Sequence, residues 1–334
     1  MKRRAIALVI TAVVLYGAWP AVLEVLGAFN DLDGIKPWWW GAVLVSQGLA
    51  LTCFCEVQRL AMHTREWFPV VTSNLASGGL SKVVPGGSAT AAALQFQMLR
   101  RADVGGAGVV TGLAAGSLLL LGTLAALPLL ALPSVIGGLN VPAGLFHASL
   151  IGLALFAVLF VLSFLLIRSD RAVDLIGRAA EWVACKVLRR TPRDIPGRLR
   201  GQRDRARQAL GENLAVALAA SAGRWLFDFL TLLAALSAVG ARPPLSLALL
   251  AYAAAQLLAQ FPVTPGGVGV VEAGMTGTLA LAGVAAGPAA LATLIYRLGS
   301  YWLQMPVGLV AWLLYRRRYG AVVAAPAAPE VSGS

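Results

Sequence analysis

Charge is scarce in this sequence, and negative charge more so: only 13% of the 334 residues are charged, with 15 acidic side chains against 27 basic ones. With 58% hydrophobic residues and a mean hydropathy of +0.77, the chain lacks the polar surface that a soluble globule of this length needs. Cysteine is nearly absent. Cys53, Cys55 and Cys185 make no disulfide framework, and the two histidines, His63 and His147, have no partner at ligand spacing, so neither a metal nor a cofactor is expected. A nucleotide-binding Gly-x-x-x-x-Gly-Lys-Ser/Thr sequence is missing as well.

What the chain has is apolar length. Stretches that meet the requirement of about 20 residues for a membrane-spanning helix lie near 5–26, 38–58, 107–131, 143–167, 213–239 and 289–315. Two further apolar segments, near 68–100 and 245–286, are each interrupted by Pro-Gly-Gly. The interruptions are copies of one pattern, Val83-x-Pro85-Gly86-Gly87 and Val263-x-Pro265-Gly266-Gly267, 180 residues apart. Sliding 83–104 onto 263–284 needs no gap, and Val83, Pro85, Gly86, Gly87, Ala93, Leu99, Ala102 and Val104 recur identically. A helix break held at one place in both halves of a membrane protein points to the binding site.

The net charge of +12 borders the spans and forms no patch interleaved with aromatics, so it reads as topology and not as a nucleic-acid footprint. Lys2, Arg3 and Arg4 place the amino terminus in the cytoplasm. The basic stretches at Arg59 and Arg65, Arg100 and Arg101, 168–207 and 316–318 then also fall inside, and only Lys36 and Arg242 fall outside. That bookkeeping holds only if each Pro-Gly-Gly segment crosses an even number of times, as a hairpin of two arms. Three spans separate the hairpins, so the second enters from the opposite face. The arm 88–99, at 12 residues, is about 18 Å of helix and too short to cross, whereas the first arm of the second hairpin, 245–264, is long enough. A cleaved amino-terminal signal fits less well, because the apolar stretch is long and no clear Ala-x-Ala site follows.

The expected fold is therefore an all-α polytopic membrane protein, with six full spans plus two Pro-Gly-Gly re-entrant helical hairpins forming an inverted repeat. Residues 1–318 form a single membrane domain, with a first repeat half of about 1–167, a cytoplasmic basic segment at 168–211 and a second half of about 212–318. The segment begins with an apolar stripe at Val173, Ile176, Ala180, Val183 and Val187, as in a helix lying on an anionic leaflet. A solvated loop is the alternative. The tail, 319–334, is expected to be disordered. Both termini face the cytoplasm of a cell (inner) membrane.

Ionisable residues inside spans are expensive and are functional candidates by default. Arg224 and Asp228, four apart, share a helix face; Glu272 lies early in the second arm of the second hairpin; Arg297 lies in the last span; Lys82 precedes the first tip. Together with the tip residues Pro85, Gly86, Gly87, Pro265, Gly266 and Gly267, they make a candidate cavity for an anionic headgroup. The structural alternative is that Arg224 with Asp228, and Glu272 with Arg297, are ion pairs that fix helix register. Glu56 is expected at the interface, snorkelling or paired with Arg59.

The stretch Phe261-Pro-Val-Thr-Pro-Gly-Gly-Val-Gly-Val-Val-Glu272, with Gly283-Val284, Tyr296-Arg297-Leu298 and Ser300-Tyr301-Trp302, resembles the second half of the lysylphosphatidylglycerol synthase transmembrane family, the flippase-like domain. Gly223-Arg224-Trp225 through Asp228 fits the span before it. The first half departs: where many members carry charges, this chain reads Gly86-Gly87-Ser88-Ala89 and Gly112-Leu-Ala-Ala-Gly-Ser117. The resemblance implies a stand-alone membrane domain, not an enzyme, that moves a polar or anionic phospho- or glycolipid between leaflets. Membrane lipids are the expected partners, with a second copy of the chain or a lipid-modifying enzyme beside them. A membrane subunit scaffolding such an enzyme is the alternative function, and an enzyme acting on a lipid-linked substrate a weaker one.

Overall fold

A computed structural model describes residues 35–83, 87–104, 106–131, 142–147 and 213–260, together with 269–320 and seven isolated positions between 150 and 201. The first span, nearly all of the fourth, most of the basic segment and tail, and Pro85, Gly86, Pro265, Gly266 and Gly267 lie outside the described residues; Gly87 is described as the first residue of a helix. The regular structure among the described residues is helical throughout. The helices are α1 (Pro37–Ala61), α2 (Trp67–Val83), α3 (Gly87–Arg101), α4 (Gly106–Ala126, continued by a 3-10 turn, Leu127–Ala131), α5 (Leu214–Ala238), α6 (Leu245–Ala259), α7 (Val270–Leu281), α8 (Ala286–Arg297), a π-helical turn (Leu298–Trp302) and α9 (Gln304–Tyr319).

Three stretches of helix are long and apolar enough to cross a membrane: Pro37–Ala61, Gly112–Ala131 and Leu214–Ala238. Their outer faces carry Val45, Leu118, Leu226 and other large apolar side chains that are half exposed or more, as a lipid-facing surface requires. Between the long helices lie short ones. The arms of the two interrupted segments have 17, 15, 15 and 12 residues in α2, α3, α6 and α7, roughly 18 to 26 Å of helix each against a hydrocarbon core of about 30 Å. The second arm of the first segment is thus three residues longer than the expected 88–99, and α6 stops at Ala259 rather than running on to Thr264.

The repeat is visible in hydrogen bonds. α3 ends with Ala102, Asp103 and Val104 donating to Met98, Arg100 and Leu99, and α7 ends with Ala282, Gly283 and Val284 donating to Thr278, Ala280 and Leu279, each position shifted by 180. Asp103 (φ 56°) and Gly283 (φ 90°) take the same left-handed turn. The next helices begin at Gly106 and Ala286, again 180 apart. Upstream, α1 and α5 both have 25 residues, and each is followed by a left-handed residue, His63 or Gly240.

These two counterparts, α1 and α5, pack antiparallel along much of their length. Gln47 of α1 meets Asp228 and Thr231 of α5, while further along α1 the Cys53 side chain lies against Gly223, earlier in α5. α4 is pinned to α5 by the Trp225 indole N–H, which donates to the Leu120 carbonyl at 3.0 Å, and by Thr123 with Ser221 at 2.6 Å. The main core, including Leu232, Leu236, Met275, Leu279 and Ile295, joins α5 to α7 and α8.

α2 packs against α9 through glycine. Gly79 and Gly308 stand backbone to backbone, and a Cβ on Gly308 would lie 2.5 Å from the Leu75 carbonyl oxygen. Small residues that allow such approach are a standard means of joining helices in lipid.

The expected continuous span 289–315 is broken by the π-helical turn, which is followed by Pro306, a residue without an N–H, in the first turn of α9. The Leu303 N–H donates five residues back to the Leu298 carbonyl at 3.0 Å, and the α-helical register has resumed where the Val307 N–H donates to the Leu303 carbonyl.

Candidate functional site

Lys82 bonds to the π-helical turn. At the end of α2 its Nζ reaches the Tyr301 carbonyl at 3.1 Å, the Ser300 carbonyl at 3.4 Å and the Gln304 side-chain oxygen. The ammonium also sits 4.7 Å from the centre of the Tyr301 ring. All three Lys82 donors are thus directed at the last span, with no carboxylate among these partners.

Arg297, at the end of α8, directs its Nε at Glu272 Oε1 at 2.7 Å. The other oxygen of Glu272 accepts the Gly269 N–H at 2.7 Å, closing the first turn of α7. Gly269 itself has φ 84°, a left-handed conformation that suits glycine at this entry. The Arg297 guanidinium lies 4.1 Å from the centre of the Tyr301 ring, the ring that Lys82 also faces.

The second cluster centres on Asp228 of α5, which is 1% exposed. Its Oδ1 lies 3.0 Å from Arg224 Nη1 and accepts Gln47 Nε2 at 2.8 Å. Its Oδ2 accepts the hydroxyls of Tyr252 at 2.6 Å and Tyr296 at 2.7 Å, and Gln256 Nε2 at 2.8 Å. Four helices therefore converge on one carboxylate: α1, α5, α6 and α8. Each places its residue by helical spacing, since Arg224 and Asp228, and likewise Tyr252 and Gln256, are four apart and share a face. In so apolar a setting a lone carboxylate is costly, and this donor set removes that cost.

The clusters join at consecutive residues, because Arg297 belongs to the first and Tyr296 to the second. Lys82 lies within electrostatic reach of Arg297, Arg224 and Asp228. All five charged candidates, Lys82, Arg224, Asp228, Glu272 and Arg297, thus fall in one connected polar region, and both anticipated pairs, Arg224 with Asp228 and Arg297 with Glu272, are formed. Of the tip residues only Gly87 is described, as the start of α3. Glu56 pairs with Arg59 at 2.6 Å. Among the described residues, no three His, Cys, Asp or Glu side chains gather as metal ligands.

Residues 4–308 match the family model of the lysylphosphatidylglycerol synthase TM region. The chain belongs to this family. A UPF0104 membrane protein of Methanothermobacter thermautotrophicus is 31% identical over 98 residues, which make up 29% of this chain and 28% of that relative. The aligned stretch therefore spans well under two thirds of the relative's length. No solved structure matches the chain. Membership makes this a membrane protein of a lipid-related family, consistent with its apolar helices.

Within this family member, sequence reasoning overlooked the neutral part of the site. Gln47, Thr231, Tyr252, Gln256 and Gln304 escaped notice, and Tyr296 entered only as part of a family stretch. The available signal was modest: neutral side chains with hydrogen-bonding groups in otherwise apolar helices, with Tyr252 and Gln256 at one-turn spacing.

Proposed function

We propose that this chain is a flippase-like transporter, acting without covalent chemistry, that moves a lipid with a polar or anionic headgroup between leaflets. α2 with α3, and α6 with α7, are its two re-entrant hairpins, set among six full spans and entering from opposite faces. The antiparallel packing of α1 on its repeat counterpart α5 supports this arrangement, since a two-fold axis in the membrane plane relates counterparts in that way.

The observation that carries the reading is the link between the hairpins. Lys82, three residues before Pro85, bonds to the turn that directly follows Arg297, and Arg297 bonds to Glu272, five residues after Gly267. The first hairpin approaching its tip and the second hairpin leaving its tip are thus tied to one stretch of the last span. A headgroup held there sits where both hairpins end, and rearranging either hairpin would alter its exposure to one side. The acyl chains stay in the bilayer throughout.

Reconstitution of the purified chain into liposomes with headgroup-accessible fluorescent lipids tests the proposal. Leaflet exchange above that of protein-free liposomes is expected. Exchange no faster than in protein-free liposomes for every lipid offered would remove the transporter reading.

A further inference from the structure

Arg297 is only 7% exposed, yet its guanidinium is not fully used. Nε donates to Glu272, while Nη2 is buried and has no hydrogen-bond partner. A buried donor left unsatisfied is costly, and a guanidinium offers five N–H groups in a planar fork suited to two oxygens of an oxyanion. Arg224 shows a related deficit: its Nη1 lies 3.0 Å from Asp228 but makes no aligned hydrogen bond, and its side chain is 21% exposed. The two arginines stand at the ends of one path: Arg224 pairs by charge with Asp228, Asp228 accepts the Tyr296 hydroxyl, and Arg297 is the next residue.

Charge points the same way. Among the described residues, the region holds three basic groups, Lys82, Arg224 and Arg297, and two carboxylates, Asp228 and Glu272. One basic group among them is left without a carboxylate inside an apolar bundle, where an uncompensated charge is expensive. A monoanion with oxygen acceptors would balance it. The N–H of Gly269, at the start of α7, is occupied by Glu272, so the helix end does not supply the site. The arginines do.

We infer that Arg297 Nη2 and the Arg224 guanidinium hold the phosphate of a phosphodiester lipid whose headgroup carries one net negative charge. This rests on the flippase reading and narrows it. A zwitterionic lipid adds a cation beside the leftover charge, and a lysylated headgroup, with two ammonium groups against one phosphate, adds more. Both are disfavoured at this site.

Binding tests this separately from transport. The full chain in uncharged detergent is titrated with bromine-labelled phosphatidylglycerol, phosphatidylcholine and lysylphosphatidylglycerol, and quenching of its tryptophan fluorescence gives relative affinities. Phosphatidylglycerol is expected to bind at least about tenfold more tightly than the other two, and Arg297→Ala to abolish most of that preference. Glu272→Gln removes a competing carboxylate and is expected to tighten phosphatidylglycerol binding, a gain that misfolding cannot mimic. Equal affinities for the three lipids, tighter binding of the lysylated lipid, or unchanged or weaker phosphatidylglycerol binding in Glu272→Gln would each overturn the inference. Full displacement of the lipid by low-millimolar inorganic phosphate would assign the site to a free anion and overturn it as well. Selective binding without leaflet exchange would remove the transporter reading and leave this site standing; exchange without selectivity would do the reverse.

Discussion

The hydroxyl of Tyr296 donates to Asp228 Oδ2 at 2.7 Å, joining α8 to α5 at the centre of the bundle. Arg297 follows directly, and its guanidinium is placed by Glu272 and the Tyr301 ring. Tyr296→Phe is expected to lower stability by about 1 kcal/mol, the scale of a single hydrogen bond inside a membrane bundle. Asp228→Ala leaves Arg224 without its carboxylate and is expected to cost about 3 kcal/mol or more. Thermal unfolding in detergent checks both, and equal small shifts would contradict the hub role of Asp228.

Gly308 is where α9 touches α2 most closely, with a Cβ position 2.5 Å from the Leu75 carbonyl oxygen. Gly308→Val is expected to force the helices apart and cost roughly 1 to 3 kcal/mol. Gly41→Ala, where a Cβ meets nothing within 4 Å, serves as the neutral control. Matching melting temperatures for the two variants would contradict the packing described.

Lys82 donates to the carbonyls of the π-helical turn that precedes Pro306. Lys82→Met removes that donor from the Tyr301 carbonyl and is expected to cost about 1 to 3 kcal/mol. Pro306→Ala adds a backbone N–H to the stretch after the turn, so the double variant is expected to regain part of the loss. A melting temperature no higher in the double variant than in Lys82→Met would show that the added N–H does not compensate for the lost ammonium.

Topology follows from the charge pattern. In a chain whose own cysteines are replaced by alanine, Lys36→Cys and Arg242→Cys are expected to react with a membrane-impermeant thiol reagent added to intact cells. Arg65→Cys, Arg100→Cys and Arg317→Cys are expected to react only after permeabilisation. Labelling of Arg100→Cys from outside would reverse the first hairpin and remove the inverted arrangement.

The helical class and the repeat were legible because each has a strong local signal. Apolar runs of span length predicted α1, α4 and α5, and the gapless shift of 180 residues anticipated the shared caps at Val104 and Val284. The charged candidates were legible too, since ionisable groups stand out in an apolar sequence. The break after Arg297 was harder to read. Pro306 was visible, but the turn before it is also held by Lys82, more than 200 residues away in sequence. The same limit hid Tyr252 and Gln256, neutral residues whose importance comes from Asp228 on another helix.

A lipid headgroup that passes between leaflets by way of Arg297 and its neighbours makes the exchange rate depend on that side chain. The most direct measurement is the leaflet-exchange rate of headgroup-labelled phosphatidylglycerol in proteoliposomes, wild type against Arg297→Ala, with both proteins shown to be folded by their melting curves. Exchange well above protein-free liposomes is expected for wild type, with a loss of at least about tenfold for Arg297→Ala. Equal exchange by the two proteins would contradict it.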